Sequence, residues 1–313
     1  MAMGKPNLDI FAETLLSLAR SDRDVLVVTS DSRGSGRLSG YAQELPEQII
    51  ETGIAEQNVI GISAGLASAG KKVFAVSPAC FITARALEQI KNDVCYSDHP
   101  VRVVGISAGV SYGALGATHH SLHDIAALRA IHNITIVVPA DNLETREAIL
   151  AAYEAPHPLY IRLGKAPMPD VHPASEPFRL RTCARIRDGH DVTYVACGET
   201  VPVALGAAEA LAAQGVSCRV LSMHTVKPLD EQALVSAARE TGAVISVEEH
   251  SAHGGLGEAC ATVLLRHGLH VPFDLVAIPD EHLVSGSQNE VFRHYGLSVE
   301  SLAATAMRLI GGR

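Results

Sequence analysis

Tryptophan is absent from the 313-residue chain, and only 4% of its residues are aromatic. Hydrophobic residues nevertheless make up 47% of the sequence, with Ala, Val and Ile prominent among them. Small aliphatic side chains suit buried parallel strands that alternate with alanine-rich helices. The composition therefore predicts an α/β protein, and the length is sufficient for two domains with proper cores.

Basic patches and long apolar runs are also missing. No cluster of Lys and Arg stands out, and the formal net charge is −9, so we do not expect nucleic acid as a partner. The N-terminus lacks the apolar core of a signal peptide, and no run of about 18 apolar residues occurs anywhere. We expect a soluble, cytoplasmic protein without a membrane partner.

The six cysteines include no closely spaced pair. Local spacing therefore provides neither a zinc knuckle nor a redox CxxC motif. We expect reduced thiols, most of them buried.

Apolar runs of strand length alternate with helical patterns, which is typical of a parallel sheet. In the first half the predicted strands span 25–29, 72–76, 101–107, 134–138 and 159–163, and the predicted helices span 56–69, 80–96, 121–131 and 141–154. Asp141 is a suitable N-cap for the last helix, with Glu144 in the position of a capping box. These elements predict a first domain over residues 1–166.

A proline-rich segment follows and predicts an interdomain linker over 167–187. Beyond it, predicted strands at 191–198, 216–222, 243–249 and 273–279 alternate with predicted helices at 200–214, 228–240, 257–267 and 298–310. A second, smaller α/β domain is therefore expected over residues 188–313.

The stretch ETGIAEQNVIGISAGLASAGKKVFAV places Glu56 at the start of a helix rich in small residues. A carboxylate there has a purely structural explanation, because it interacts favourably with the helix dipole. However, residues 54–58 (IAEQN), the helix and the strand 72–76 together resemble the pyrimidine-binding domain of the transketolase family. The resemblance implies that Glu56 activates thiamine diphosphate and that Ile54 lies beside the cofactor.

The chemistry explains why a carboxylic acid is needed. Thiamine diphosphate reacts at C2 of its thiazolium ring, where the proton is removed by the cofactor's own 4′-imino group. A glutamate hydrogen-bonded to N1′ of the aminopyrimidine stabilises that tautomer. We therefore expect the Glu56 carboxyl group in a dry site.

Phe81, on the predicted helix 80–96, can be explained simply as a buried core residue, because aromatic side chains usually pack in the core. The family resemblance implies instead that its ring packs on the aminopyrimidine, with the segment 85–90 (RALEQI) matching the pattern that follows. Family members often carry further aromatics on either side, where this chain has Pro78 and Ala84. Phe81 is then the aromatic residue left to stack.

The block VSYGALGATHHSLHD resembles the family pattern G-E-D-G-x-T-H-Q, which implies that His119 contacts a sugar substrate. The acidic pair of that pattern is Ala114 and Leu115 here, so a specialised sugar such as an apulose-type phosphate or a sulfosugar is an alternative to the common substrates. His119, His120 and His123 also suggest a metal site. We do not predict one, because adjacent residues cannot point the same way and no acidic or cysteine cluster completes a ligand set.

Two further segments match the ends of the family's site. Asp31 and Ser35 in TSDSRGSG follow the first predicted strand, and the resemblance places Asp31 near the cofactor and Ser35 at a substrate phosphate; a simple Gly/Ser-rich turn is the alternative. Lys165 lies where many members have a phosphate-binding arginine, and it supplies charge without the bidentate fork. The family's second arginine is replaced near Asp9.

The second domain resembles the transketolase C-terminal domain, which also occurs in beta subunits of 2-oxo-acid dehydrogenases. Its glycines at 254–257 lack the GxGxxG or Walker spacing, so we interpret them as a close-packed turn into a helix. We expect this domain to stabilise a dimer and to contribute little chemistry.

The chain contains no G-D-G motif, which full-length members use with Mg²⁺ to bind the cofactor's diphosphate. The resemblance therefore covers the second half of the enzyme and implies a separate N-terminal-half subunit that carries the Mg²⁺ ligands, in an α2β2 assembly acting on sugar phosphates. Two alternatives stay open. One is the beta subunit of a 2-oxo-acid dehydrogenase or related thiamine-dependent synthase, and the other is a non-catalytic scaffold subunit.

Overall fold

The computed structural model describes residues 2–173 and 176–311. The strands are β1 (Met3–Pro6), β2 (Val25–Thr29), β3 (Ile49–Glu51), β4 (Lys72–Pro78), β5 (Arg102–Ile106), β6 (Thr135–Val137), β7 (Leu159–Arg162), β8 (Pro167–Pro169), β9 (Ala184–Arg187), β10 (Val192–Ala196), β11 (Cys218–Ser222), β12 (Thr225–Lys227), β13 (Ala243–Ser251) and β14 (Phe273–Ile278). The α-helices are α1 (Asn7–Ser21), α2 (Ser39–Glu44), α3 (Glu56–Ser68), α4 (Ala79–Arg85), α5 (Leu87–Gln89), α6 (Asp124–Arg129), α7 (Asn142–Glu154), α8 (Val201–Ala212), α9 (Glu231–Glu240), α10 (Leu256–Arg266), α11 (Gln288–His294) and α12 (Val299–Gly311).

The first of the two structural units is built on a seven-stranded sheet in the order β12-β6-β7-β5-β4-β2-β3. Its strands pair in parallel except for β12, which joins β6 antiparallel. The five strands predicted in the first half are confirmed as β2, β4, β5, β6 and β7. The short strands β3 and β12 were not predicted.

The second structural unit is built on a five-stranded sheet in the order β14-β13-β10-β11-β9. It is parallel apart from the edge strand β9, and the four strands and four helices predicted after residue 188 are all present. The α/β class with two units, each built on a largely parallel sheet, is therefore confirmed. The additional helix α11 was not predicted.

The predicted linker is less irregular than its prolines suggested. Its first residues form β8, which pairs with β1, and its last residues form β9 on the second sheet. Residues 174 and 175 of this linker, like residue 1 and residues 312–313 at the predicted domain ends, lie outside the described residues. The domain limits themselves stay a prediction.

The predicted helix 80–96 is wrong as a single α-helix. The chain leaves helical geometry at Ala86 (φ −108°, ψ 21°) and then continues through α5 into a π-helix at Ile90–Tyr96. Thr83 donates from its hydroxyl to the Ala79 carbonyl, a contact that competes with the helix ladder and bends helices. Arg85, the last residue of α4, pairs with Glu56 at the N-terminus of α3.

The N-cap prediction at Asp141 is confirmed, because its Oδ1 accepts a hydrogen bond from the Glu144 nitrogen at 2.9 Å. The capping box is only half formed. Oε2 of Glu144 accepts from the Ala140 nitrogen at 2.8 Å instead of closing on the N-cap itself. A buried ion pair between Glu144 and His172 occupies the other carboxylate oxygen.

The two units share a continuous core. One cluster of buried side chains includes Val59 and Ile90 beside the first sheet, and Leu221 and Leu256 in the second unit. All six cysteines are free, and five are buried, as predicted. Among the described helices, none combines the length and apolarity needed to cross a bilayer.

Candidate active site

The predicted site residues converge at the carboxyl ends of the parallel strands of the seven-stranded sheet. Carboxyl ends of parallel strands point the same way, so the loops after them meet there. Loops follow β2, β5 and β7, whereas α4 follows β4 directly and α3 follows a short loop after the edge strand β3. They carry Asp31, Ser35, Ile54, Glu56, Phe81, His119 and Lys165.

Glu56 is the first residue of α3, and its side chain is only 3% exposed, as expected for a dry site. Nη1 of Arg85 donates to both carboxylate oxygens, at 3.1 and 3.0 Å. The carboxylate opens on a cleft of about 550 Å³ lined by residues 54–58 and Arg85. Ile54 stands on its rim with 75% of its surface exposed.

Phe81, on α4, is half-buried and is not part of the core. The Arg85 guanidinium lies 4.2 Å from its ring centroid, so the arginine bridges Phe81 and Glu56. The Phe81 ring also packs against His119 in a T-shaped contact, with centroids 5.4 Å apart and planes at 70°. Phe81, which was predicted to bind the cofactor, thus directly contacts His119, which was predicted to bind the substrate.

Tyr112 lies among the residues that were predicted to bind the substrate, His119, Lys165 and Ser35. Its ring centroid lies 5.4 Å from that of His119, and Nζ of Lys165 lies 4.7 Å from the same Tyr112 centroid. Ser107 and Ser35 are polar neighbours of the phenol, and the buried Ser107 hydroxyl has no hydrogen-bond partner among the described residues. Burial raises the pKa of Tyr112 despite these neighbours, so the phenol is a neutral hydrogen-bond donor at physiological pH.

Asp31 lies in the left-handed region (φ 52°) at the end of β2. Its backbone nitrogen donates to Oε1 of Glu51 at 2.5 Å, and Gly53 donates to the same oxygen at 3.2 Å. Glu51 also pairs with Arg33 at 3.2 Å. This carboxylate therefore ties the loop of Asp31 to the loop that precedes Glu56.

The three histidines of the THHSLHD block diverge. Nδ1 of His119 lies 3.0 Å from the Thr118 hydroxyl, Nε2 of His120 lies 3.2 Å from the Gly113 carbonyl, and His123 lies 3.3 Å from the Thr83 hydroxyl. Burial lowers the pKa of His120. No group of three or more His, Cys, Asp or Glu side chains suited to a metal ion occurs within residues 2–173 and 176–311.

A buried ion pair supports the loop after β5. Asp124 is fully buried and accepts from Nε of Arg162 at 2.8 Å. Burial alone would raise the pKa of the Asp124 carboxyl, but the adjacent Arg162 guanidinium holds it below its ordinary value. Arg162 also donates to the Ser121 and Glu249 carbonyls at 3.0 and 2.8 Å.

The second unit contacts the same loop directly. Oε1 of Glu249 accepts from the Val110 nitrogen and from Nε2 of Gln288, each at 2.9 Å. The Gln288 amide also donates to Glu199. Gly109 has φ +60°, and a Cβ there would overlap the Glu249 carboxylate. The second unit therefore also supports the loop that carries His119, a role that we did not expect from the sequence.

The glycine-rich segment 254–257 is a close-packed turn, as predicted. Gly254 has φ +75°, and a Cβ at this position would overlap Ala126. The backbone nitrogens of Leu256 and Gly257 each donate to the Glu248 carboxylate at 2.7 Å. A carboxylate from the chain itself occupies the N-terminus of α10, so this segment is not a phosphate-binding loop.

A larger cleft of about 660 Å³ lies between α1 and α7. Its lining includes Glu13, Asp141 and Arg146 but none of the predicted site residues. The smaller cleft at Glu56 is therefore the better candidate, because chemistry-bearing side chains converge there.

Sequence reasoning gave no role to Arg85, Tyr112 or Glu249. Arg85 lies four residues after Phe81, a spacing that puts both side chains on one helix face, and this signal was present in the sequence. Tyr112 stands inside a glycine-rich stretch, where an aromatic residue has no local packing partner. Glu249 has no comparable local signal, because its partners Val110 and Gln288 lie 139 and 39 residues away in the sequence.

Comparison with known proteins identifies both halves of the chain. Residues 6–170 match the model of the transketolase pyrimidine-binding domain, and residues 182–302 match that of the transketolase C-terminal domain. The chain is 48% identical over 301 residues to a protein of Phocaeicola vulgatus that is named as one of the subunits of apulose-4-phosphate transketolase, with 96% of each chain covered.

Two further relatives are similar along most of their length. The chain is 34% identical over 298 residues to a 6-deoxy-6-sulfo-D-fructose transketolase subunit of a Clostridium species, covering 95% of this chain and 92% of that protein. A solved structure described as a split gene transketolase, inactive beta4 tetramer, superposes with a TM-score of 0.87 at 34% identity and covers 98% of this chain and 99% of that one.

Proposed function

The chain belongs to the transketolase family and is a subunit of a thiamine-diphosphate-dependent transketolase, and we propose that it is the second half of a two-chain enzyme that moves a two-carbon ketol unit between sugar phosphates. In the net reaction the C2–C3 bond of the ketose donor breaks, and the remainder leaves as an aldose. A new carbon–carbon bond then forms to the acceptor aldehyde. The observation that carries the proposal is the buried Glu56 carboxylate at the wall of the cleft.

The residues at this cleft fit the aminopyrimidine end of the cofactor. A carboxyl group that is 3% exposed suits a ring nitrogen that must share a proton with it, and the half-buried Phe81 ring offers an apolar face nearby. When bound, thiamine diphosphate supplies the nucleophilic carbon and the electron sink for carbon–carbon cleavage. Glu56 would hold a proton at N1′, while Phe81, Ile54 and Asp31 would line the cofactor.

The substrate would extend from Phe81 toward Lys165. His119 lies between the two, and it would donate a hydrogen bond to the sugar. The ammonium group of Lys165 and the hydroxyl of Ser35, both exposed, would bind the anionic end. A cation followed by hydroxyl donors is suited to a phosphate group.

A partner subunit would complete the site. We propose that the Mg²⁺ ligands and the diphosphate site lie on an N-terminal-half chain, and that two copies of each chain assemble. The similar split-gene structure is described as inactive when it consists of β chains alone, which supports this division. The six free thiols suit the cytoplasm, the compartment that we propose.

A specialised sugar is the substrate that we favour. The turn after Tyr112 carries Ala114 and Leu115, which offer no polar group, and Leu115 is 56% exposed. Two relatives are named for apulose 4-phosphate and for 6-deoxy-6-sulfo-D-fructose. These names favour ketol transfer over the decarboxylation of a 2-oxo acid that the sequence left open.

Calorimetric titration tests the split site. Thiamine diphosphate with Mg²⁺ is titrated into this chain alone and into its mixture with the N-terminal-half subunit. We expect tight binding in the mixture only. Tight Mg²⁺-dependent binding to this chain alone would contradict the two-chain proposal.

The substrate class needs a separate assay. Steady-state rates of the mixture are measured on a panel of sugar phosphates and sulfosugars, with xylulose 5-phosphate and ribose 5-phosphate as the reference pair. We expect ketol transfer on at least one pair. Release of CO₂ from a 2-oxo acid without any ketol transfer would favour the dehydrogenase alternative.

A further inference from the structure

Tyr112 contacts the three residues assigned above to the substrate, although it has no role in the proposed function itself. Its ring packs at 67° to that of His119, its face lies under Nζ of Lys165, and the Ser35 side chain is a polar neighbour of its hydroxyl group. We propose that Tyr112 is a specificity-determining residue that organises the anion-binding end of the site. This inference rests on the proposed function, since it assumes a sugar with an anionic group.

The ring of Tyr112 gives Lys165 a defined position. Lys165 is exposed, and a lysine side chain is a flexible, strongly hydrated point charge. An ammonium group 4.7 Å from a ring centroid is attracted to the face of that ring. The contact therefore holds the positive charge at one place along the substrate path.

The hydroxyl group of Tyr112 supplies a second element of recognition. It is neutral at physiological pH and has the side chains of Ser35 and Ser107 as polar neighbours. Two hydroxyl donors next to an ammonium group match the several acceptor oxygens of a phosphate or sulfonate. The residues that follow on the same turn, Ala114 and Leu115, have no polar side chain to share this role.

The ring of Tyr112 also orients His119. The His119 ring lies between Phe81 and Tyr112, with both centroid distances at 5.4 Å and both contacts close to T-shaped. Removing one of the two aromatic walls would free the imidazole to rotate. Tyr112 therefore fixes the distance between His119, which would bind the sugar, and Lys165, which would bind the anionic group. The site would then select substrates in which the sugar and the anionic group are separated by that distance.

The test uses the assembled two-chain enzyme and the variants Tyr112→Leu, Tyr112→Phe, Lys165→Met and Tyr112→Leu/Lys165→Met. The first readout is kcat/KM for a phosphorylated aldose and for its unphosphorylated counterpart. The second is calorimetric affinity for ribose 5-phosphate and for ribose, measured in a Glu56→Gln background without a ketose donor so that no turnover occurs.

We expect Tyr112→Leu to lower kcat/KM for the phosphorylated aldose on the order of tenfold, mainly through KM, as for a cation–π contact in a half-buried site. The unphosphorylated aldose should change less. In the Tyr112→Leu background, Lys165→Met should cost clearly less than it does alone, because the two side chains act together. Tyr112→Phe should keep the coupling to Lys165 and lose only the contribution of the hydroxyl.

Tyr153 provides a matched control. Nζ of Lys72 lies 3.7 Å from the Tyr153 ring centroid, at the start of β4 and so at the sheet edge opposite the site. Tyr153→Leu should leave the preference for phosphorylated sugars unchanged. Thermal unfolding of each variant identifies a loss of folding, and Tyr112→Phe keeps the ring if Tyr112→Leu does not fold.

Three outcomes would overturn the inference. If the wild-type enzyme transfers ketol units but Tyr112→Leu keeps the full preference for the phosphorylated aldose, or if the effects of Tyr112→Leu and Lys165→Met simply multiply, only the role of Tyr112 fails. If the wild-type enzyme shows no ketol transfer with any anionic sugar, the proposed function fails as well.

Discussion

Arg85 donates from a single nitrogen, Nη1, to both carboxylate oxygens of Glu56. The carboxylate is 3% exposed, whereas the arginine side chain is 49% exposed. A buried carboxylate thus has its countercharge at the mouth of the cleft, where a bound cofactor would contact the same oxygens. Arg85 stabilises Glu56 in the free subunit, and this position suggests that its importance falls once the cofactor is present.

Arg85→Met should destabilise the isolated chain by about 1 kcal/mol, because the buried carboxylate loses its partner while the half-exposed arginine limits the effect. Glu56→Gln in the same chain should remove most of this penalty. Urea unfolding of the single and double variants measures the coupling. Arg185→Met, which breaks a pair with both side chains more than half exposed, should cost close to nothing; equal losses at both arginines would contradict the argument.

Glu56→Gln should reduce turnover of the assembled enzyme by about a thousandfold, since a group that holds a proton at the cofactor is lost. Glutamine has the same shape, so folding and assembly should persist. Steady-state rates and size-exclusion chromatography check both points. Glu209→Gln, on the exposed face of α8, serves as the control. Unchanged turnover in Glu56→Gln would support the scaffold alternative.

Stability of the chain should fall as pH rises from 4.5 to about 8, because burial raises the pKa of three carboxyl groups, those of Glu199, Glu248 and Glu249. Burial, and then the nearby Glu249, raises the pKa of Glu199 from 4.5 to about 8. Between these values the folded state binds a proton that the unfolded state has released, and each pH unit costs about 1.4 kcal/mol. Below pH 4.5 both states are protonated, so the cost is absent.

Glu199→Gln should reduce the slope in this pH range and stabilise the chain most at pH 8 and above. Urea unfolding at several pH values, followed by circular dichroism, gives the difference between variant and wild type. Glu300→Gln, on an exposed position of α12, should leave the slope as it is. A slope shared by wild type and Glu199→Gln would show that other groups cause it.

Gly164→Ala should destabilise the chain by about 1–3 kcal/mol, since a Cβ there would overlap the Glu199 carboxylate. It should also raise KM for phosphorylated sugars, because the next residue is Lys165. Gly40→Ala is the matched control in α2, where a Cβ would meet no atom within 4 Å. There alanine should be neutral or slightly stabilising. Thermal unfolding and steady-state kinetics distinguish the two substitutions.

Periodicity predicted the central strands because each has a local apolar pattern. β3 and β12 have three residues each and, unlike the equally short β6, do not lie in a longer apolar run. The resemblance to a family located Glu56, Phe81, His119 and Lys165 on converging loops, but the roles of these residues stay predictions. The contacts of Arg85, Tyr112 and Glu249 depend on tertiary packing, so no spacing rule could have assigned all three.

Strand β12 comes from the second unit and yet forms the edge of the first sheet, where it covers β6. Lys227, at its end, donates to the Arg129 carbonyl at 3.2 Å, near the C-terminus of α6. A fragment truncated at residue 187 would leave β6 with an unpaired edge, and such edges recruit other chains into aggregates. The two halves are thus not independent modules, and any chimera between relatives would need its crossover placed so that β6 and β12 come from the same parent.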